Sequence, residues 1–259
     1  MIRLQSALCT LLLLAFPALA ISQHVITMHK SKYSVIEDLE IGQEAAREVR
    51  QQLTMLKNPD IQKYVNRIGK RLIGVMPHVI PEEFMYPEFA YTFDIVDYDD
   101  IQAMAFPGGP IFLYRGMIDE APTEDAVAGI MAHEISHVAL RHGTAGLTRA
   151  NKFQWGILAG AIVGAVIGGT TGETVADLTR LGLQLFVTKY SREYEKDADL
   201  LGSQIMFKAG YDPRELATMF TLLEQHQVPQ WLSSHPNPGN RAAYIRTEAR
   251  FLEEEQSSQ

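Results

Sequence analysis

The pentapeptide His133-Glu134-Ile135-Ser136-His137 holds three side chains whose types and spacing suit metal-dependent hydrolysis. A separation of four residues puts the two histidines on one face of a helix, a single turn apart, where both imidazoles can bind one metal ion. Glu134 lies about 100° around the helix from His133, within reach of a metal-bound water but not of the metal. Zinc lowers the pKa of such a water towards ~7, and the carboxylate can then take its proton as the water attacks a carbonyl carbon. The pentapeptide therefore predicts a zinc hydrolase with Glu134 as its general base.

A zinc site needs a third protein ligand, and the sequence offers two kinds of candidate. His142 lies five residues after His137, about 140° around the helix, so we expect it to face elsewhere. Glu195 and Asp199 are four residues apart in a charged segment and share one helix face. One of these carboxylates could bind the metal while the other accepts a hydrogen bond from a ligand histidine. A solvated run of charges is the alternative interpretation of this segment.

The helix that carries the pentapeptide has the clearest signals in the chain. Thr123 is a good N-cap residue, and acidic residues follow it in the first turn, where the helix dipole favours negative charge. We expect the helix to run to about Arg141 and to stop at Gly143. Its neighbouring residues argue against two solvated surface histidines, because imidazoles without partners are costly to bury among apolar side chains. These apolar neighbours are Ala126, Val127, Ile130, Met131 and Val138.

The rest of the pattern predicts an α+β fold that is predominantly helical, with a small β-sheet beside the histidine-bearing helix. The strands are expected at residues 89–96 and 111–115, which are rich in β-branched and aromatic types, and Pro107-Gly108-Gly109 forms a turn into the second. The other helices are expected at 34–56, from Asn58-Pro59 to Pro77, at about 174–190, 191–209 and 213–225, and from Asn240 onwards.

The first twenty residues have the features of a secretion signal. Arg3 gives a positive start, residues 7–15 form an apolar run, and Ala18-Leu19-Ala20 matches a cleavage site of the A-x-A type. A retained membrane anchor is the alternative, but the run is well short of the ~20 apolar residues that span a bilayer. We expect residues 1–20 to be a signal peptide cleaved after Ala20, and residues 21–259 to form a single domain with a polar tail from about 253.

Composition excludes several classes of function. The formal net charge is −8, without a dense cluster of Lys and Arg, so the chain would repel a phosphate backbone and nucleic acid is not expected as a partner. The single cysteine, Cys9, lies within the expected signal peptide. A chain without it has no thiol to serve as nucleophile or metal ligand and no disulfide to stabilise it.

Residues 153–172 carry no charge, and glycine recurs at every fourth position from 156 to 168. A helix face lined with glycine lets another backbone approach closely. Tight packing inside the protein is the favoured interpretation of this segment. The alternative is that 153–172 contacts a membrane surface.

Together with the pentapeptide, four other segments resemble the M48 family of zinc metallopeptidases, the family of the Ste24, HtpX and Oma1 proteases. They occur in the family's order and extend over nearly the whole chain after residue 20. The four segments are Gly42-Gln43-Glu44, Ala103-x-Ala105-x-Pro107-Gly108-Gly109, Ser191-Arg192-x-x-Glu195-x-x-x-Asp199, and Ser234-His235-Pro236 with Arg241 beyond it. Gln102 is a departure, since asparagine is frequent there in the family, and it affects only the loop near the strand.

The resemblance implies a zincin-type metallopeptidase fold and roles for residues that spacing leaves open. Glu195 would be the third ligand of one Zn²⁺ per chain, and Asp199 would hold a ligand histidine from behind. His235 and Arg241 would face the site, where they could stabilise the oxyanion. The strand residues expected to pair with an extended substrate are Ile111, Phe112, Leu113 and Tyr114.

By the same resemblance, the chain is expected to be a periplasmic zinc endopeptidase that cuts unfolded or misassembled cell-envelope proteins. We see no repeat at a period of roughly 20–50 residues, so a helical-repeat module is not expected. The main alternative is a metal-stabilised, chaperone-like binder of such proteins without catalysis, but a purely structural site has no use for Glu134. A zinc hydrolase of a non-peptide bond is disfavoured by the strand beside the site. Because His235 lies in the turn-rich segment 231–239, it could also occupy the open zinc position and gate the enzyme.

Overall fold

A computed structural model describes residues 26–149, 191–226, 228, 231, 234–237 and 239–258 of the chain. The prediction of a predominantly helical α+β fold with a small sheet is confirmed. The described helices are α1 (Val35–Gln52), α2 (Pro59–Val75), α3 (Arg115–Glu120), α4 (Glu124–Ala139), α5 (His142–Arg149), α6 (Arg192–Lys208), α7 (Arg214–Gln225) and α8 (Arg241–Ser257). The strands are β1 (Thr92–Val96), β2 (Ala103–Ala105) and β3 (Pro110–Tyr114).

Helix α1 begins as expected and ends earlier than expected. Ser34 forms a capping box with Glu37, in which each side chain bonds the other's backbone N–H. The helix ends at Gln52 rather than at 56, because the following residues turn to pair with β1. Met55 forms a β-bridge with Val96, and the N–H of Leu56 donates to the carbonyl of Ile95 at 2.8 Å. Residues 53–56 are therefore the start of the connection to α2.

The sheet has the strand order β1-β3-β2, with β1 parallel and β2 antiparallel to β3. The tight β2–β3 connection uses Gly108 and Gly109, both at positive φ, where an added Cβ on Gly109 would lie 2.3 Å from the carbonyl oxygen of Ala90. Both predicted strands are present with slightly shifted bounds. Ala103–Ala105 forms a third strand, which the sequence pattern does not predict.

The strand order contradicts the expectation that Ile111, Phe112, Leu113 and Tyr114 pair with substrate. These residues belong to the central strand, and its backbone is bonded to β1 on one side and to β2 on the other. Even at the end of the strand, the N–H of Tyr114 donates to the carbonyl of Gln102 at 3.0 Å. An extended peptide cannot add to a strand whose two edges are occupied. Among the described strands, β2 is the edge strand on the side of α4.

The core lies in two layers, one on each face of the sheet. Val96, Met104 and Phe112 point to one face and pack against α1. Ile95, Ile111 and Leu113 alternate with them and pack against the helices on the other face. The main layer joins α2, α4, α6 and α7, so α4 is enclosed on all sides. The sheet therefore fixes one side of the helix that carries the pentapeptide.

Helix α4 ends at Ala139, before the predicted stop, and Gly143 is not its cap. Arg141 takes a left-handed conformation with φ 55°, which is unfavourable for a residue with a side chain. Two contacts offset this strain: Arg141 Nε lies 2.5 Å from Oδ2 of the buried Asp38, and Nη2 donates to the carbonyl of Tyr33. The chain turns at Arg141, and α5 begins at His142 in a new direction.

The later helices agree closely with expectation. Helix α6 is followed by Gly210 at φ 77°, α7 ends at Gln225, and α8 follows Asn240 and continues through the acidic stretch to Ser257. No described helix combines the length and the apolar character that a membrane span requires. The expected signal peptide 1–20, the glycine-lined segment 153–172 and the helix expected at 174–190 lie outside the described residues.

Gly42 should be intolerant of any side chain. A Cβ at this position of α1 would lie 1.7 Å from the carbonyl oxygen of Pro107, in the turn before β3. We expect Gly42→Ala to lower the free energy of unfolding by about 1–3 kcal/mol, because backbone must shift to relieve the overlap. Gly74→Ala in α2 is the matched control, since no atom lies within 4 Å of its added Cβ. Urea unfolding of both variants measures this, and equal stabilities would contradict the close approach.

Candidate metal centre

His133 and His137 lie one turn apart on α4 and are fully buried. Thr123 caps the helix by accepting a hydrogen bond from the N–H of Ala126, as the sequence predicts. The Nε2 atoms of the two histidines are 3.0 Å apart. Two unprotonated ring nitrogens at this distance repel each other, so a shared cation would relieve the repulsion. The helix thus presents the two imidazoles as a pair.

Helix α6 brings Glu195 and Asp199 to the same point. Both carboxylates are fully buried, so the alternative of a solvated charge run is excluded for these two residues. Gly202, one helical turn further along the same face, permits the approach, because an added Cβ would lie 3.2 Å from the backbone nitrogen of His133. Glu195 lies 3.4 Å from Nε2 of His137, and Asp199 lies 2.9 Å from Nδ1 of His133. Glu195 therefore faces the imidazole pair, and Asp199 lies behind His133.

His235 completes the cluster from the segment between α7 and α8. Its ring stacks on Trp231 with centroids 4.1 Å apart and planes 15° apart. Its Nδ1 lies 3.2 Å from Glu195 and 3.3 Å from Nε2 of His133. The structure therefore places the His235 ring beside Glu195 and the imidazole of His133.

These four side chains fit a tetrahedral metal ion. His133, His137, Glu195 and His235 each offer one ligand atom within 4.8 Å of the others. Five separations between their nitrogen and oxygen atoms run from 3.0 Å to 3.6 Å. Ligands at the bond lengths typical of zinc stand about 3.4 Å from one another around a tetrahedron. Nitrogen and carboxylate donors in this number are also the donors that zinc prefers.

Arg241 neutralises the carboxylates rather than facing the imidazoles. Its Nε and Nη2 donate to the two oxygens of Asp199 at 2.8 Å and 2.7 Å, and Nη2 also lies 3.0 Å from Glu195. The guanidinium carbon lies 3.6 Å from the centre of the Phe220 ring. With these contacts Arg241 positions the carboxylate of Glu195 from behind. The expectation that it stabilises an oxyanion finds no support in them.

Burial and charge together set the protonation of the cluster. Burial raises the pKa of Glu195, but the charges of His235 and Arg241 outweigh it and hold that pKa well below its usual range. Burial also raises the pKa of Asp199, but the neighbouring Arg241 and His133 outweigh this effect, so the pKa of Asp199 is lowered. Burial lowers the pKa of His137 to about 3. The carboxylates are therefore ionised and His137 is neutral, which are the forms that bind a metal.

Glu134 is a buried carboxylate without a hydrogen-bond partner among the described residues. Both of its oxygens are inaccessible, and the nearest charged partner is Nε2 of His235 at 3.6 Å. Burial raises the pKa of Glu134, against the lowering effect of the neighbouring imidazoles. Buried carboxylates normally accept hydrogen bonds, so one that accepts none from the described residues, beside a cluster that could hold a metal, indicates chemistry rather than structure.

His142 is the site residue that sequence reasoning missed. The expectation that it faces elsewhere is wrong, because the left-handed turn at Arg141 breaks the helical geometry on which it depended. The Nδ1 atom of His142 lies 2.9 Å from Nδ1 of His137, and the residue is fully buried. Its position after Arg141 at the predicted helix end was the one available signal. No propensity rule predicts a left-handed backbone conformation for an arginine, so the sequence alone could not show that the chain turns at Arg141.

The family model for "Peptidase family M48" matches residues 59–249 of this chain. The chain is 27% identical over 227 residues to the beta-barrel assembly-enhancing protease of Escherichia coli (strain K12), covering 85% of this chain and 45% of that protein. It is 28% identical over 232 residues to a putative beta-barrel assembly-enhancing protease of Vibrio cholerae, with 86% and 46% covered. It is 27% identical over 168 residues to the mitochondrial metalloendopeptidase OMA1 of Bos taurus, with 61% and 32% covered. The chain thus spans at most about half the length of these relatives.

Replacing Arg241 should cost far more stability than replacing a surface arginine with a similar pairing. We expect Arg241→Met to lower the free energy of unfolding of the metal-free protein by about 3–5 kcal/mol, because two buried carboxylates lose their cation. Arg214 is the control: it also pairs with two carboxylates, Asp212 and Glu253, but at the surface. Arg214→Met should stay within about 1 kcal/mol of the wild type. Urea unfolding with a chelator present measures both, and similar losses would show that the buried network adds nothing.

Proposed function

Because this chain belongs to peptidase family M48, we propose that it is a zinc-dependent endopeptidase. The observation that carries the proposal is the convergence of His133, His137 and Glu195 on one point, with the carboxylate of Glu134 beside it. One Zn²⁺ per chain would be bound by these three ligands. The metal would supply a Lewis acid that polarises the substrate carbonyl.

Glu134 is proposed to act as the general base. It follows His133 directly on α4, so the helix holds its carboxylate at a fixed distance from the metal ligands. The raised pKa moves it closer to the working pH, where a carboxylate both takes and releases a proton readily. Glu134 would take a proton from water during attack on the peptide carbonyl and pass it to the leaving amine. No described residue donates a hydrogen bond to this carboxylate, which leaves its lone pairs available for this role.

The substrate is proposed to lie along β2 rather than β3. Ala105, at the end of this edge strand, lines a small depression together with Phe106, Pro107 and His137. An extended peptide that adds to a strand edge presents its carbonyl groups at regular intervals beside the metal centre. This arrangement favours a peptide over a non-peptide substrate.

His235 is proposed to gate the centre. Its Nδ1 is the fourth atom of the cluster, in the position that catalytic zinc sites leave open for water or substrate. With this position occupied by an imidazole the enzyme would be idle, and the segment at 231–239 would have to move for substrate to bind. Stabilisation of the oxyanion by the same imidazole is the competing role.

The natural substrates are proposed to be unfolded or misassembled proteins of the cell envelope, in the periplasm. Two features support this location: the signal-like residues 1–20 and the similarity to proteases named for β-barrel assembly. Contact of 153–172 with a membrane surface stays a proposal. A chaperone-like binder that holds such proteins without cutting them is the alternative, and the unpaired Glu134 argues against it.

Glu134→Gln should abolish proteolysis and leave metal binding intact. The substitution keeps the shape of the side chain and removes the base, so the cleavage rate of an unfolded protein should fall by about 10²–10⁴-fold. Metal analysis should find about one zinc per chain in both proteins, whereas Glu195→Ala should lose it. Glu254→Gln, at an exposed position of α8, is the control for loss of one carboxylate.

Substantial cleavage by Glu134→Gln would contradict the base assignment. Binding of unfolded protein without any chelator-sensitive cleavage by the wild type would favour the chaperone-like alternative. Comparison of envelope proteomes from cells that produce the wild type or Glu134→Gln then tests the substrate class. Envelope proteins should accumulate in the variant.

His235→Ala should raise the basal rate of proteolysis, including self-cleavage, because it vacates the fourth position while three ligands keep the metal. Peptide cleavage and the zinc content of the same sample measure this. His226→Ala, at an exposed histidine paired with Glu120, is the control. A fall in kcat with zinc unchanged would instead identify His235 as an oxyanion stabiliser. Equal rates on a peptide and on an unfolded protein would eliminate both roles.

A further inference from the structure

We propose that His142 is a positioning residue that fixes the metal ligand His137 by accepting a hydrogen bond from its Nδ1. This inference rests on the proposed metal centre and adds a residue to it. His137 points Nε2 towards His133 and Glu195, and its other nitrogen lies 2.9 Å from Nδ1 of His142. A nitrogen–nitrogen contact of this length requires one proton between the two atoms.

The metal decides which ring carries that proton. His137 must leave Nε2 unprotonated to bind the ion, so its single proton lies on Nδ1 and points at His142. His142 accepts it on Nδ1 and therefore carries its own proton on Nε2. This fixes the tautomer and the ring orientation of His137. The carboxylate of Asp199 lies 2.9 Å from Nδ1 of His133, where its charge can orient that ring.

The His142 ring is itself held by packing. It stacks on Tyr194 with centroids 4.4 Å apart and planes 4° apart, and it is fully buried. Tyr194 immediately precedes the ligand Glu195 on α6. The position of His142 relative to the metal centre is therefore set by the same helix that supplies the third ligand. The left-handed turn at Arg141 brings it there.

Thr27 and His29, near the amino-terminal end of the described chain, contact the same turn of α6. The ring of His29 lies 4.3 Å from that of Tyr194, and its Nε2 lies 2.9 Å from Asp197. The N–H of Thr27 donates to the other oxygen of Asp197. The ring of His29 also lies 5.5 Å from that of His142, so it packs near both rings.

A second metal ion is the competing interpretation, because His29, His142 and Asp197 offer ligand atoms within 4.8 Å of one another. The positions of the ring protons on His29 and His142 argue against a second metal ion. Nη2 of Arg149 lies 3.2 Å from Nδ1 of His29, so that nitrogen accepts, and Nε2 of His29 carries a proton towards Asp197. Nε2 of His142 carries a proton for as long as His137 binds metal. Neither ring then has a lone pair for a second ion.

The test uses the full chain loaded with Co²⁺, whose visible absorption reports ligand geometry. His142→Leu removes the acceptor, and we expect Co²⁺ affinity to fall about 10- to 100-fold in competition with a chelating dye, with an altered visible spectrum. In His142→Asn the amide oxygen stands near the place of Nδ1, so affinity and spectrum should return most of the way to wild type. His226→Leu is the matched control and should change neither quantity.

A direct measurement on the wild type avoids any question of folding. With ¹⁵N-labelled histidine and bound zinc, scalar coupling between Nδ1 of His137 and Nδ1 of His142 should be observed across the hydrogen bond. Absence of this coupling would overturn the proposal. Wild-type affinity and spectrum in His142→Leu, or equal losses in folded His142→Asn and His142→Leu, would do the same. Two Co²⁺ ions per chain, one of them lost in Asp197→Asn, would establish the second metal site instead.

The outcomes also separate this inference from the proposed function. A wild type that binds no Co²⁺ overturns the metal centre and the role of His142 together. A wild type that binds Co²⁺ and depends on His142 for affinity, yet cleaves no protein, overturns only the peptidase assignment.

Discussion

Glu195 and Asp199 are two fully buried carboxylates on one turn of α6, and Arg241 is the buried guanidinium that binds both. Removing charges from water is costly unless they are paired with good geometry, so this group dictates where the surrounding elements must lie. Helix α6 must approach α4 closely enough for the carboxylates to reach the histidines, and Gly202 makes that approach possible. Helix α8 must begin where Arg241 reaches back to α6. The packing of three helices therefore follows from one ionic requirement.

The same requirement makes the centre capable of holding a cation. Arg241 offsets the negative charge of Asp199 with two hydrogen bonds and reaches Glu195 with only one, so Glu195 keeps charge directed at the imidazoles. Each imidazole on α4 has a partner at its Nδ1 atom, Asp199 behind His133 and His142 behind His137. Both Nε2 atoms are thereby turned to the same point. No described residue donates a hydrogen bond to Glu134, and that difference distinguishes the proposed base from the proposed ligands.

The centre is enclosed as well as charged. His235 stacks on Trp231 and completes the cluster, and Phe220 covers the guanidinium of Arg241. These contacts exclude water, and in a site of low dielectric constant the attraction between the ligand atoms and a cation is stronger than in solvent. An enclosed centre must open to admit a peptide. The proposed opening is a movement of His235, because the proposed ligands on α4 and α6 are fully buried in the middle of two core helices.

The sequence alone determined the helix that carries the pentapeptide, the helix that carries Glu195 and Asp199, and the predominantly helical fold with a small sheet. These are consequences of spacing within one helix, since residues four apart share a face whatever surrounds them. The tertiary structure decided the rest. The order of the strands put Ile111–Tyr114 in the middle of the sheet, because strand pairing joins segments whose contact no local pattern encodes. Arg141 could adopt its left-handed conformation only because Asp38 and Tyr33, about a hundred residues earlier in the chain, hold its side chain. His142 reaches His137 through that turn, so its place beside the site depended on contacts between distant residues that the spacing of the histidines could not reveal.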